Sequence, residues 1–242
     1  MTSLDLNGRL ALVSGASRGI GYAMALELAK AGAHVIATAR TTGGLEELDD
    51  EIRTAGGSAT LVPMDLKSED GIEQLGKIIT ERWGKLDILL AAAGALGVLT
   101  PAAQVKAKTW NEVVAINLMA PARMIRAFEA PLLASDAGRA VFISSGAAAS
   151  RRAFWGPYAA SKAGLDALVE SWANEHVNNP KIRINTIYPG AMRTQMRAKA
   201  FPGEDPMSLP EPAALWPTIA ELVGPDCTRH GEIVKFEAKQ TA

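Results

Sequence analysis

The stretch PYAASKAGL (157–165) places Tyr158 four positions before Lys162, the spacing that brings two side chains to one face of a helix. A phenol with a cation beside it can exchange a proton, because the positive charge favours the phenolate. The chain has only three tyrosines, but lysine is common enough that this spacing arises readily from composition, so the pair alone decides little. A second candidate is VSGASRGIG (13–21), with Gly15, Gly19 and Gly21 in a G-x-x-x-G-x-G arrangement. Glycines permit a tight turn and a close backbone approach to an anion, and a helix N-terminus behind them offers free N–H groups and partial positive charge. That is chemistry suited to a pyrophosphate.

A third pair of residues bears on the choice of nucleotide. The second apolar run ends ATAR, with no carboxylate before Glu46. An acidic residue at that point would bind the ribose hydroxyls of NAD, whereas arginine suits the 2′-phosphate of NADP. Arg40 stands there, and Arg18 inside the glycine turn supplies a second planar fork for a phosphate. The expected cofactor is NADP(H), with NAD(H) as the second choice.

These residues need elements to hold them. Short apolar runs predict strands at 9–15, 33–39, 59–65, 86–94, 138–145, 182–190 and 231–236. Amphipathic stretches predict helices at 19–32, 43–55, 68–84, 104–134, 157–178 and 211–223, the third opening on Ser68 and acidic residues as a helix start should. Alternation of this kind predicts a Rossmann-like, doubly wound α/β fold with a parallel sheet covered on both faces. No linker or repeat divides the chain, so residues 1–242 are expected to form a single NAD(P)-binding domain. The segment 191–212, rich in Pro and Met, follows a strand directly and is expected to be a loop covering the substrate.

Composition sets the outer limits. The 242 residues are 48% hydrophobic and 21% charged with a net charge of −1, an ordinary globular balance that offers no attraction for nucleic acid or membranes. Cys227 is the only cysteine, which excludes an intrachain disulfide and a multi-cysteine metal site. His34, His176 and His230 are isolated in sequence, so no metal is expected. The N-terminal MTSLDLNGRL has no secretory pattern, and no apolar run approaches a membrane span, which predicts a cytoplasmic protein.

Taken with the glycine turn and the Tyr–Lys pair, further motifs complete a pattern: MDL with Asp65, AAAG (91–94), Asn117 in AINLMAP, Ser145 in FISSG and YPGAMRT (188–194). From about Asn7 to Gly190 the chain resembles the short-chain dehydrogenase/reductases of the ordinary single-domain type, with motifs in the family's order and Ser145 thirteen residues before Tyr158. The resemblance implies a nicotinamide-dependent enzyme acting on a small carbonyl or alcohol. Tyr158 would be the general acid or base. Lys162 would hold the nicotinamide ribose and lower the phenol's pKa, a unit charge at ~4 Å and effective dielectric ~20 contributing about 4 kcal/mol, or roughly three pKa units. Ser145 would polarise the substrate carbonyl, and Asn117 would anchor a proton-relay water. The cofactor would be cradled by Gly15, Ser17, Arg18, Gly19, Ile20 and Gly21. Arg40, Asp65, Leu66, Ala92 and Gly94 would take its adenosine side, Asp65 contacting the adenine. Pro189, Gly190, Met192 and Thr194 would line the nicotinamide.

The chain departs from the family where Ala91 and Ala92 replace two asparagines that brace the central strands, and where GEIVKFEAKQTA (231–242) lacks the Asp-Gly-Gly ending often found at subunit interfaces. A homodimer or homotetramer is still implied, and LDALVESWA (165–173) has apolar content for an interface or for covering the sheet. Met192, Met196, Phe201 and Met207, with Trp155, suggest an adaptable apolar pocket wall. Two alternatives stand beside the carbonyl reductase. One is reduction of 3-oxoacyl thioesters, with Arg123, Arg126, Arg151, Arg152, Arg193 and Arg197 meeting an acidic carrier protein. The other is a non-catalytic NADP(H) sensor or scaffold.

Overall fold

The computed structural model describes residues 4–237, and a parallel sheet runs through them. The first half alternates β1 (Leu10–Ser14), α1 (Gly19–Lys30), β2 (His34–Ala39), α2 (Thr42–Thr54), β3 (Ser58–Pro63), α3 (Glu69–Trp83) and β4 (Ile88–Ala91). The second half runs α4 (Ala107–Val114), α5 (Ala120–Ala134), β5 (Gly138–Ile143), α6 (Ala147–Ser150), α7 (Gly156–Glu175), β6 (Ile182–Tyr188), α8 (Gln195–Ala200), α9 (Trp216–Val223) and β7 (Ile233–Lys235). The strands lie in the order β3-β2-β1-β4-β5-β6-β7, every pair parallel.

The near-continuous apolar strands have a direct cause. All five residues of β1 and all six of β5 are buried, because helices cover both faces of a parallel sheet. Side chains alternate between the two faces, as strand geometry requires. Ala11, Val13, Ile88, Leu90 and Val141 face a core built with Met24 and Leu28 of α1, Leu45, Leu48 and Ile52 of α2, and Ile219 and Leu222 of α9. Leu10, Leu12, Leu89, Ala140 and Phe142 face Ile72, Leu75 and Ile79 of α3, Met124 and Phe128 of α5, and Leu165, Val169 and Trp172 of α7. Of LDALVESWA, Leu165, Val169 and Trp172 are thus spent on the sheet, while Leu168 is half-buried outside this core.

The strand order reverses beside β1: the chain first winds outward to β3, then returns to place β4 on the other side. Such a switch point opens a crevice at the strands' carboxyl ends. Helix starts are chemically marked only in part. Ser68 caps α3 by accepting from the Gly71 N–H at 3.2 Å, with Glu69 and Asp70 in the first turn. By contrast α1 begins at Arg18 with no side-chain cap and no acidic residue in its first turn, which leaves its N–H groups facing outward from the crevice wall.

Three regions differ from the expected outline. The stretch 104–134 is not one helix: a π turn, Ala115–Met119, joins α4 to α5, with the Ala120 N–H reaching back five residues to the Ala115 carbonyl. β4 stops at Ala91, short of the expected 94, because the chain turns there along the crevice. The segment 191–212 is folded. Thr194 caps α8 by accepting from the Arg197 N–H at 3.2 Å, and a short 3₁₀ turn covers Pro206–Ser208. Arg193 donates to the carbonyls of Pro206 and Leu209 and to Glu211, stapling the excursion to its own base. Within GEIVKFEAKQTA, residues 238–242 lie outside the described residues.

Candidate active site

The expected site residues leave different strands at the same edge. Gly15 follows β1, Arg40 follows β2, Ala92 and Gly94 follow β4, Ser145 follows β5, and Pro189 and Gly190 follow β6. They converge on one cavity of about 430 Å³. Its lining takes in Gly15, Ser17, Arg18, Gly19, Ile20, Gly21, Arg40, Leu66, Ala92 and Gly94 toward one end, and Ser145, Tyr158, Lys162, Pro189, Gly190, Met192 and Thr194 toward the other.

At the glycine turn the backbone leaves no room for side chains. Gly15 has φ +71°, and a Cβ on it would lie 2.8 Å from the main chain of Ala93; a Cβ on Gly21 would overlap the Gly15 carbonyl. These contacts draw the start of α1 against the exit of β4, so its uncapped N-terminus borders the cavity. The brace across β1 and β4 here is the Ser14 hydroxyl, which accepts from the Ala93 N–H at 3.4 Å. Ala91 lies buried beside Ser14 in the sheet register. Arg18 and Arg40 both line the cavity, and no carboxylate joins them there at the end of β2.

Asp65 is a partial exception to the expected cofactor wall. It stands beside the cavity and not in its lining, where Met64 and Leu66 appear instead. Its carboxylate is engaged locally, accepting from the Lys67 N–H at 3.0 Å and pairing with the Lys67 ammonium at 3.3 Å. Burial opposes ionisation, yet the Lys67 contacts and the nearby Arg40 charge hold this carboxyl below its ordinary range.

The other end of the cavity is built on α7. Tyr158 and Lys162 are both buried on this helix. The Lys162 ammonium donates to the carbonyl of Ile143, the last residue of β5, at 2.7 Å. Burial pushes its pKa down to about 8, with the Asp166 carboxylate opposing. The phenol behaves differently from the sequence expectation. Burial raises its pKa, and the neighbouring Ser145 hydroxyl only partly offsets this. Lysine one turn away therefore does not dominate among the protein's own groups, because desolvation of both side chains is the larger effect.

Asn117 lies in the π turn, fully buried behind the cavity. Its Oδ1 accepts from the Ala95 N–H at 2.8 Å, while Nδ2 donates to the Ala95 carbonyl and the Ser161 hydroxyl, each at 2.9 Å. Ser161 in turn donates to the Tyr158 carbonyl at 2.8 Å. Asn117 thus links the β4 exit to the helix bearing Tyr158. A carbon added at Gly94 would lie 3.7 Å from Asn117 Oδ1 and 4.0 Å from Lys162 Nζ, so these groups surround the same point.

Trp155 packs edge-on against Tyr158, ring centroids 5.7 Å apart, and Phe201 after α8 packs on Trp155 at the same separation. The Arg197 guanidinium sits 3.7 Å over the Phe201 ring and is paired with Glu204 at 2.6 Å. Leu96, Glu112 and Ile116 also line this end. Sequence reasoning missed these three. The four-residue spacing of Glu112 and Ile116, the latter immediately before Asn117, was the available signal.

A doubly wound sheet with a glycine turn at its switch point is a Rossmann-like nucleotide fold. The family described as short chain dehydrogenase matches residues 9–205. The uncharacterized oxidoreductase YciK of Escherichia coli (strain K12) is 36% identical over 227 residues, 93% of this chain and 89% of YciK. A short chain dehydrogenase from Shigella flexneri 2a str. 301, complexed with NADP, superposes with a TM-score of 0.92 at 36% identity, covering 97% of this chain and 99% of that one. One from Escherichia coli CFT073, complexed with NADPH, does so with a TM-score of 0.90 at 34% identity over 97% and 99%. The chain belongs to the short-chain dehydrogenase/reductase family of oxidoreductases.

Proposed function

We propose that the protein interconverts a carbonyl and a secondary alcohol by hydride transfer with NADP(H), Tyr158 serving as general acid or base. The observation that carries this reading is the single cavity joining the glycine turn, Arg18 and Arg40 to Ser145, Tyr158 and Lys162. The residues fit the cofactor: close-packed glycines and an uncapped helix start suit a pyrophosphate, and two guanidiniums without a carboxylate suit a 2′-phosphate. The NADP and NADPH of the structural relatives agree with this choice. Bound nicotinamide would supply or accept the hydride.

The chain's own groups would manage the proton. Burial keeps the Tyr158 phenol protonated at neutral pH, the state needed to donate to a carbonyl oxygen during reduction. The Ser145 hydroxyl beside it would polarise the same oxygen. Lys162, braced on the Ile143 carbonyl, would stabilise the phenolate once the proton has left. Trp155, backed by Phe201, would exclude water from the reacting groups and present an apolar wall to the substrate.

A small-molecule substrate is favoured over an acyl carrier protein because most of the candidate docking arginines are engaged within the chain. Arg123 and Arg126 pair with Glu69 and Glu73, Arg193 with Glu211, and Arg197 with Glu204. A panel of aldehydes, ketones, sugars and acyl thioesters, followed by NADPH absorbance, tests the reading. Turnover is expected with a neutral, largely apolar carbonyl. Tyr158→Phe should lower kcat by about 100- to 10,000-fold while leaving NADPH binding near wild type. Substantial residual turnover in that variant would overturn the assignment. A fluorescence titration should show NADPH bound more tightly than NADH, with Arg40→Asp shifting the preference toward NADH by roughly tenfold; equal affinities in the wild type would remove the arginine clamp.

A further inference from the structure

Helix α7 continues its polar ladder one turn beyond the pair already described, with Asp166 four residues after Lys162. An acid at this depth, 9% exposed, is costly unless it is partnered. Its Oδ2 accepts from the Tyr188 hydroxyl at 2.5 Å. The Ser144 hydroxyl faces the same carboxylate without closing a hydrogen bond of ordinary geometry, and Oδ1 is buried with no partner. Both neighbours lead into the cavity: Ser144 precedes Ser145, and Tyr188 ends β6 just before Pro189 and Gly190. The Ser144 N–H donates to the Ile187 carbonyl at 2.9 Å, so the ends of β5 and β6 meet around this acid.

The charges around Lys162 are few. On its own helix it has the Tyr158 phenol and the Asp166 carboxyl; burial and Glu170 push that carboxyl above its ordinary range, while Ser144, Tyr188 and Lys162 favour its charge. β6 contributes Tyr188, β5 contributes the Ile143 carbonyl, the residue after it is Ser144, and the π turn holds the neutral Asn117. Asp166 is the one charged group acting on Lys162 among the described residues. The Ile143 carbonyl can position the lysine, but it cannot compensate its charge.

We propose that Asp166 is a positioning residue: its carboxylate, anchored by Tyr188, keeps the buried Lys162 ammonium charged and thereby sets the pH range over which Tyr158 can release and recover its proton. The inference rests on the reading of Tyr158 and Lys162 as the proton-transfer pair. Burial working against the lysine charge, opposed by this acid, agrees with it.

The test begins with protein to which no cofactor has been added. Lysine Nζ resonances are followed by NMR in 15N-lysine-labelled protein, with Lys162 assigned by its loss in Lys162→Met. The wild-type ammonium should titrate near its value of about 8. Asp166→Asn keeps the side-chain shape and an acceptor for Tyr188, and should lower the midpoint by about one pH unit, a tenfold loss of proton affinity. Asp166→Glu should restore part of it. In the active enzyme, the high-pH limb of kcat/KM for carbonyl reduction should move down by the same amount in Asp166→Asn. An unchanged Lys162 midpoint in a folded Asp166→Asn variant overturns the proposal, even if its melting temperature falls. A wild-type midpoint below 7 overturns it without any variant. Retained turnover in Tyr158→Phe would instead defeat the reaction assignment, and the titration would still decide whether Asp166 controls the lysine charge.

Discussion

Lys162 holds a charge where water does not reach, and the cost of that charge has a pH signature. Its folded pKa of about 8 lies below the ordinary 10.5. Below about 8 both folded and unfolded chains bind the proton, and the burial penalty is fully present. Between 8 and 10.5 the unfolded chain binds the proton more, so this residue's contribution to stability rises with pH. The difference in unfolding free energy between wild type and Lys162→Met should therefore climb by about 1.4 kcal/mol per pH unit across that window. Denaturant unfolding at a series of pH values checks it, and a flat difference would place the lysine in water. The Tyr158–Lys162 relationship was legible from spacing alone, as helical periodicity guarantees a shared face. The electrostatic outcome was not legible, because it depends on how deeply α7 sinks against β5 and β6. Asp65 shows the same limit: its position was readable, but not its commitment to Lys67.

Among the elements, two carry information that patterning does not express. The π turn at Ala115–Met119 turns Asn117 inward to clasp the main chain of Ala95. A helix with one extra residue per turn has no hydrophobic signature, so the stretch reads as continuous helix. The segment 191–212 also lacked a clean period, since its order comes from Arg193, Arg197 and the Phe201–Trp155 contact. Phe201→Ala should remove the Trp155 contact, worth about 1 kcal/mol for an aromatic pair. We expect it to raise KM several-fold and to reorder preference across the carbonyl panel, with NADPH affinity unchanged. An equal loss for every substrate, accompanied by a lower melting temperature, would mark the contact as purely structural. The five inner strands β1, β2, β4, β5 and β6, by contrast, were visible as apolar runs because two-sided burial demands them.

For the molecule as a whole, self-association follows as an expectation from the family resemblance. Leu165, Val169 and Trp172 cover the sheet, leaving Ala163, Ala167 and Ser171 exposed and Leu168 half-buried on α7. Exposed apolar surface elsewhere includes Trp110 on α4 and Met119 in the π turn. Light scattering should return two or four times the chain mass of 25.5 kDa, and a single-chain mass at micromolar concentration would reject an oligomer. No described helix is long and apolar enough to cross a membrane.

Parallel strands also sort the loops into two populations. Those leaving the carboxyl ends furnish the cavity, whereas the turns entering the strands, such as Gly56 before β3 and Asn178 before β6, contribute nothing to its lining. Both are exposed, and a Cβ on Gly56 would meet no neighbour within 4 Å. An anchor or fusion introduced at Asn178 would hold the protein by its back, turning the cavity mouth toward bulk solution. Immobilisation by that edge, rather than by the segment 191–212 that lines the cavity, is the orientation that preserves exchange of cofactor and substrate.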